Sequence, residues 1–103
     1  MRFMVKVTLP VEQGNAALLD GSMMGKLQAI LDDVKLEAVY FSIEDGQRTL
    51  YVVTDIQDVA QIPSAAEPWW LTFKADVSVS PAFTLGDMDA IGPALEDVVK
   101  KWA

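Results

Sequence analysis

The sequence predicts one α+β domain, in which helices cover one face of an antiparallel sheet. Residues 2–9 carry an apolar side chain at every second position, from Phe3 to Leu9, with mostly polar residues between them, the pattern of a half-buried strand. An Asp-Gly step at 45–46 separates two segments rich in β-branched and aromatic residues, which is typical of a hairpin. Elsewhere apolar residues recur at steps of three and four, as in amphipathic helices. At 103 residues the chain has the usual size of a single domain, 1–103.

The first two elements are a strand and a helix. The strand over 2–9 directs four apolar residues to one face, and Pro10 ends it because proline cannot donate a ladder hydrogen bond. The stretch from Asn15 to Val34 then predicts one helix, best defined from Ser22 onward. The apolar residues of the strand are Phe3, Val5, Val7 and Leu9.

The middle of the chain predicts a hairpin followed by an interrupted helix. The two strands cover 37–44 and 48–55, and Asp45-Gly46-Gln47 connects them through backbone angles that glycine adopts readily. Asp58 then has the character of a helix cap. Because prolines at 63 and 68 restrict a helix, we expect a short turn at 58–62 and a kinked helix to about residue 73.

The last two elements are a strand over 75–81 and a helix that begins near Asp87. The helix has one narrow apolar stripe with steps of three, four, three and four residues. Gly92-Pro93 is expected to split it into a leading turn and a main helix. The residues of the stripe are Met88, Ile91, Leu95, Val98 and Trp102.

The resulting order is βαββαβ plus a C-terminal helix, the arrangement of ferredoxin-like folds. The chain also resembles the dimeric α/β-barrel superfamily, most closely small uncharacterised bacterial members of it. The opening strand Met1-Arg2-Phe3-Met4-Val5 carries this resemblance, together with the block of hairpin strand, Trp-containing helix and final strand from Thr49 to Pro81. The resemblance implies a dimer. Several members of the superfamily use a histidine or an aromatic-lined pocket, and this chain has no histidine.

Composition excludes several chemistries. Without cysteine or histidine the chain has no thiolate or imidazole ligand and no Ser–His or Cys–His nucleophile. Its net charge of −7 disfavours nucleic acids and anionic membranes as partners. Lys6 interrupts the apolar residues of the N-terminus, so we expect neither a signal peptide nor a membrane span, and a cytoplasmic location. No phosphate-binding glycine loop or calcium loop is present, so we expect no cofactor and no metal.

The sheet face opposite the helices is predicted to be mixed in character. It combines tyrosines, a methionine and a valine with hydroxyls, one lysine and one aspartate. Such a face fits a dimer interface, the lining of a pocket or a solvated surface, and the first two are compatible. The residues assigned to it are Met4, Lys6, Thr8, Ala38, Tyr40, Ser42, Thr49, Tyr51, Val53, Asp76, Ser78 and Ser80.

Five residues are the candidate ligand-binding set. Lys6 and Asp76 lie on strands predicted to be neighbours, so they form either a cross-strand ion pair or a site for an anionic ligand. Tyr40 and Tyr51 lie on paired strands, where they pack together or bind a substrate oxygen. Of the adjacent tryptophans Trp69 and Trp70, one is expected to face the core and the other to be partly exposed. A structural role is the favoured interpretation in each case, as an ion pair for Lys6 and Asp76 and as packing for the tyrosines and tryptophans, and Trp69 completes the set.

Three functions agree with these patterns. The favoured one is a homodimer that binds a small molecule, with the mixed sheet face as cavity or interface. The second is a cofactor-independent isomerase or oxygenase acting on an aromatic or lactone-like substrate, with Lys6, Asp76 and a tyrosine handling protons. The third is a structural interaction module whose partner docks on one of the two tryptophans.

Overall fold

A computed structural model describes all 103 residues as an α+β domain with a four-stranded antiparallel sheet. A short 3₁₀ turn over Val59–Gln61 precedes the third helix. None of the helices is both long enough and apolar enough to cross a membrane. The elements are β1 (Arg2–Leu9), α1 (Val11–Leu19), α2 (Met23–Asp32), β2 (Leu36–Glu44), β3 (Gln47–Asp55), α3 (Ile62–Phe73), β4 (Asp76–Pro81) and α4 (Met88–Trp102).

The strands lie in the order β2-β3-β1-β4, and every neighbouring pair is antiparallel. The first and last strands are therefore adjacent, as a βαββαβ order with split pairing requires, and the arrangement is consistent with a ferredoxin-like fold. The predicted hairpin is confirmed. Asp45 and Gly46 form a two-residue turn with φ values of 52° and 74°, and Glu44 pairs directly with Gln47.

Helices α1, α2 and α3 cover one face of the sheet and form the core with it. Val5 and Val7 of β1 and Leu50 and Val52 of β3 are at most 2% exposed, as the alternation of these strands predicts. Trp69 stacks on Phe73 within α3, with ring centroids 6.3 Å apart. The core therefore lies over the two central strands, β1 and β3.

The helix predicted from Asn15 to Val34 is wrong in two respects. The structure has two helices, and the first begins directly after Pro10. Gly21 separates them with a φ of +79°, a left-handed conformation that interrupts a right-handed helix. The Asp20 carboxylate accepts a hydrogen bond from the Ser22 backbone N–H at 2.8 Å, which stabilises the break.

The predictions around the prolines have different outcomes. Asp58 caps the 3₁₀ turn by accepting from the Ala60 N–H, and α3 then runs as one helix to Phe73, the expected end, with Pro68 inside it. The predicted split at Gly92-Pro93 is wrong, because α4 is one continuous helix. Pro93 lies one and a half turns into α4, where its missing N–H removes only one hydrogen bond.

Candidate ligand-binding face

The face of the sheet without helices, here called the open face, carries a row of four residues across all four strands. Lys6 on β1 is the direct partner of Tyr51 on β3 and of Ser78 on β4. Tyr51 is in turn the partner of Tyr40 on β2. Three of the five candidate residues thus lie side by side, because antiparallel register aligns them.

Glu44, at the end of β2, joins two members of this row. The Tyr51 hydroxyl donates a short hydrogen bond to Glu44 Oε1, and Lys6 Nζ lies 3.1 Å from Glu44 Oε2. The Lys6 ammonium also lies 5.9 Å from the centroid of the Tyr51 ring, within range of a cation–π contact. Lys6, Glu44 and Tyr51 therefore form one polar cluster, which we call the open-face triad.

The open-face triad covers the sheet beneath it. Thr49 precedes Tyr51 by two positions in β3, on the side of the hairpin turn, so the Tyr51 side chain extends across it to reach Glu44. Thr49 is accordingly 1% exposed, although it belongs to the face without helices. Its hydroxyl donates to the Gln47 carbonyl at 3.1 Å, so its polar atom is satisfied. The hairpin end of this face is thereby ordered in the single chain.

The three groups of the triad shift one another's protonation equilibria. The hydrogen bond from Tyr51, followed by the one from Lys6, lowers the pKa of Glu44. The same hydrogen bond raises the pKa of the Tyr51 hydroxyl, and the contact between Glu44 and Lys6 raises the pKa of the Lys6 ammonium. Each shift favours a charged carboxylate, a charged ammonium and a neutral phenol at neutral pH.

The predicted pairing of Lys6 with Asp76 is wrong. Asp76 is the register partner of Thr8 and lies one row from Lys6. The long Lys6 side chain pairs instead with Glu44, across β3, and Asp76 forms no ion pair within the chain. Asp76 remains on the open face as an exposed carboxylate.

The two tryptophans differ in the way expected of adjacent helical residues. Trp69 is 1% exposed and packs in the core, whereas Trp70 is 43% exposed. The assignment of Trp69 to a ligand-binding surface is therefore corrected: its ring is occupied by core contacts. Trp70 is the member of the pair that presents surface to solvent.

Glu44 is the residue that the sequence reasoning missed. The alternation that assigns Tyr40 and Ser42 to the open face extends by one more step to Glu44, so the signal was available. Its importance comes from two long side chains that converge on it from β1 and β3. Strand alternation assigns a residue to a face but does not identify its contacts.

In a single chain the open face is an exposed surface and not an enclosed pocket. The Tyr40 ring is 65% exposed and the Lys6 side chain 44%. An aromatic ring, an ammonium and the Ser78 hydroxyl lie in one row, which suits a small ligand with a polar group and an apolar part. Enclosing such a ligand requires a second surface over this face.

Comparisons with known proteins do not identify a family for this chain. No protein-family model matches the chain, and no curated protein matches it. Among solved structures it is similar to formyltetrahydrofolate deformylase from Burkholderia mallei, with 13% sequence identity and a TM-score of 0.45. The match covers 79% of this chain but only 28% of that protein. A likeness at this level carries no argument about activity.

Proposed function

We propose that this protein is a homodimer that binds a small molecule on the open face, as a ferredoxin-like domain of the dimeric α/β-barrel type. The observation that carries the proposal is the row of Tyr40, Tyr51, Lys6 and Ser78, which no helix covers and in which Glu44 holds Tyr51 and Lys6. Two such faces, closed on each other, would enclose a cavity that combines aromatic walls with hydroxyl and charged groups able to orient a polar ligand.

Binding is better supported than proton-transfer catalysis. An efficient general acid or base has a pKa near the working pH. The contacts within the open-face triad move all three pKa values away from neutrality, lowering that of Glu44 and raising those of Lys6 and Tyr51. The enzymatic interpretation paired Lys6 with Asp76, and Asp76 lies outside the triad. The group suits fixed electrostatic recognition of a ligand.

Native mass spectrometry of the gently purified protein tests the proposal. We expect a dimer that carries an extra, removable mass. Lys6→Met removes the ammonium of the row and should reduce the fraction of dimer that retains this mass at least about fivefold. The matched control is Lys26→Met on α2, since Lys26 forms no ion pair and lies outside the open face.

The outcomes separate the two parts of the proposal. A dimer without any added mass contradicts ligand binding and leaves assembly intact. A bare monomer contradicts both parts. Equal loss of the added mass in the Lys6 and Lys26 variants contradicts the placement of the ligand on the open face.

A further inference from the structure

The helix layer over the sheet is incomplete at β2. Phe41 and Ile43 point to the helix-covered side, yet they are 60% and 79% exposed. Phe41 lines two adjoining hollows between α2 and β2, of about 320 and 440 Å3, which also share Met24 and Leu27. We call this surface the β2 groove. Large apolar surfaces of this kind mark interaction sites in soluble proteins.

Helix α4 of the same chain does not pack against the core. Every residue of α4 from Pro93 to Trp102 is exposed, including its apolar stripe. Leu95 and Val98 are about half exposed, and Trp102 is 77% exposed. The protein measures 58 × 28 × 20 Å with a radius of gyration of 16.9 Å, whereas about 13 Å is expected for a compact domain of this length. The apolar face of α4 is therefore unpartnered.

We propose that α4 is an exchanged arm, which docks in the β2 groove of a second copy of this chain while the arm of that copy docks here. This inference rests on the homodimer in the proposed function and does not depend on the ligand. Each chain has one helix whose apolar face is exposed and one sheet edge that no helix covers. A symmetric exchange satisfies both surfaces in both copies.

The dimensions of the arm and the groove agree. The 15 residues of α4 extend about 22 Å at 1.5 Å per residue. The distance along β2 from Leu36 to Ile43 is about 23 Å at 3.3 Å per residue. Leu95, Val98 and Trp102 are each at least half exposed on the arm, and each copy would contribute both an arm and a groove to the interface.

The arm begins on the side of the sheet opposite its own groove. Arg2 belongs to the open face, and its guanidinium lies 3.9 Å from the carboxylate of Asp87, directly before α4. Asp87 also accepts from the Thr84 N–H at 2.8 Å, and the Ala82 N–H donates to the Arg2 carbonyl at 3.1 Å. These contacts hold the start of α4 away from the helix-covered side. The groove of another copy is therefore the one it can occupy.

Charge gives the arm a direction in the groove. Arg48 lines one hollow and Asp32 the other, and neither forms an ion pair within the chain. On α4, acidic residues at 96–97 precede lysines at 100–101. Opposite charges meet when the C-terminus of the arm lies over the hollow with Asp32.

Cysteine cross-linking tests the exchange, because the chain contains no cysteine of its own. Val98→Cys places a thiol on the arm, and Phe41→Cys places one in the groove. After the two variants are mixed and equilibrated, a short bismaleimide should join them into a covalent dimer. The control pairs Val98→Cys with Leu71→Cys on α3, a position outside the groove that is more exposed than Phe41, and should give no more than about a tenth of that product.

Other cross-linking patterns overturn the proposal. Efficient cross-linking of Val98→Cys to itself means that the two α4 helices pack against each other. A double Val98→Cys, Phe41→Cys variant that links only within one chain means that the arm docks on its own groove. A native dimer without any arm-to-groove product contradicts the exchange but leaves the open-face dimer standing, so the two proposals fail separately.

Charge substitution provides the second measurement. Leu95→Asp in the arm should raise the dimer dissociation constant about tenfold or more, whereas Leu71→Asp, also on an exposed leucine, should leave it unchanged. Equal dissociation constants for the two variants contradict a role for α4 in assembly.

Discussion

Phe41 and Leu50 are direct partners across β2 and β3 and point to the same side of the sheet, yet Phe41 is 60% exposed and Leu50 2%. The core therefore ends between these two neighbours. Helices α1 to α3 cover the central strands, but they leave the hairpin end of the outer strand β2, at Phe41 and Ile43, uncovered. This boundary motivates the exchange of α4, because an isolated chain leaves apolar surface on both the strand and the helix.

The first prediction concerns the tryptophan pair. Trp69→Ala should lower the free energy of unfolding by about 3–5 kcal/mol, because it opens a cavity in the core. Trp70→Ala, at the neighbouring but exposed position, should cost roughly 1 kcal/mol or less. Urea denaturation of both variants measures the difference. Similar losses for the two would contradict the burial of Trp69.

The second prediction concerns the hairpin turn. Gly46→Ala should cost about 1–2 kcal/mol in unfolding free energy, because Gly46 has a φ of +74° and alanine is strained in that conformation. Gly86→Ala is the matched control: its φ is not positive, and an added Cβ would make only an ordinary contact with Thr84. Denaturant midpoints measure both. A harmless Gly46→Ala would contradict the two-residue turn.

The third prediction concerns the pH dependence of the open-face triad. Because the folded state lowers the pKa of Glu44, the contribution of Glu44 to stability is present above its ordinary pKa and is lost as the pH falls through the lowered value. Tyr51→Phe removes the first cause of the shift and should move the pKa of Glu44 upward. NMR titration of the Glu44 carboxyl measures this change.

Asp76→Asn is the control for that titration, since Asp76 forms no ion pair and lies outside the triad. It should leave the pKa of Glu44 where it is in the unmodified protein. An upward shift of the Glu44 pKa in the Asp76 variant, or no shift in the Tyr51 variant, would mean that the contacts of Glu44 differ from those in the structure.

The fourth prediction concerns α4. An isolated helix of 15 residues is marginal in water, and Gly92-Pro93 weakens this one further. Protection of the α4 amides against hydrogen exchange should therefore rise with protein concentration, because α4 docks in the β2 groove of a second copy. The amides of β1 and β3, which the core of a single chain already protects, serve as internal controls and should change much less with concentration than those of α4. Equal protection of α4 at all concentrations would contradict docking on a second copy.

Sequence reasoning succeeded where one local pattern decides the outcome. Alternation placed Val5 and Leu50 in the core, and the Asp-Gly step located the hairpin turn. It failed at Gly21, where apolar spacing continues on both sides of a residue that adopts a left-handed conformation. The spacing of apolar residues identifies which face of a helix is buried, but it carries no information about the backbone angles of a single residue.

The candidate site was only partly predictable for a related reason. Register follows from the hairpin and the strand order, so the alignment of Lys6, Tyr51 and Tyr40 is implicit in the sequence. The partner of Lys6 is not, because a flexible side chain reaches several carboxylates and tertiary geometry selects Glu44 over Asp76. Which of two adjacent tryptophans faces the core likewise depends on how α3 is rotated against the sheet.

Sedimentation velocity of the unmodified protein over a range of concentrations tests the central claim, that this chain functions as a homodimer, most directly. The account predicts one dominant species of twice the 11.3 kDa chain mass, with dissociation only on strong dilution. A single species of 11.3 kDa at every concentration would contradict it, and would leave both the open face and the β2 groove as solvated surface.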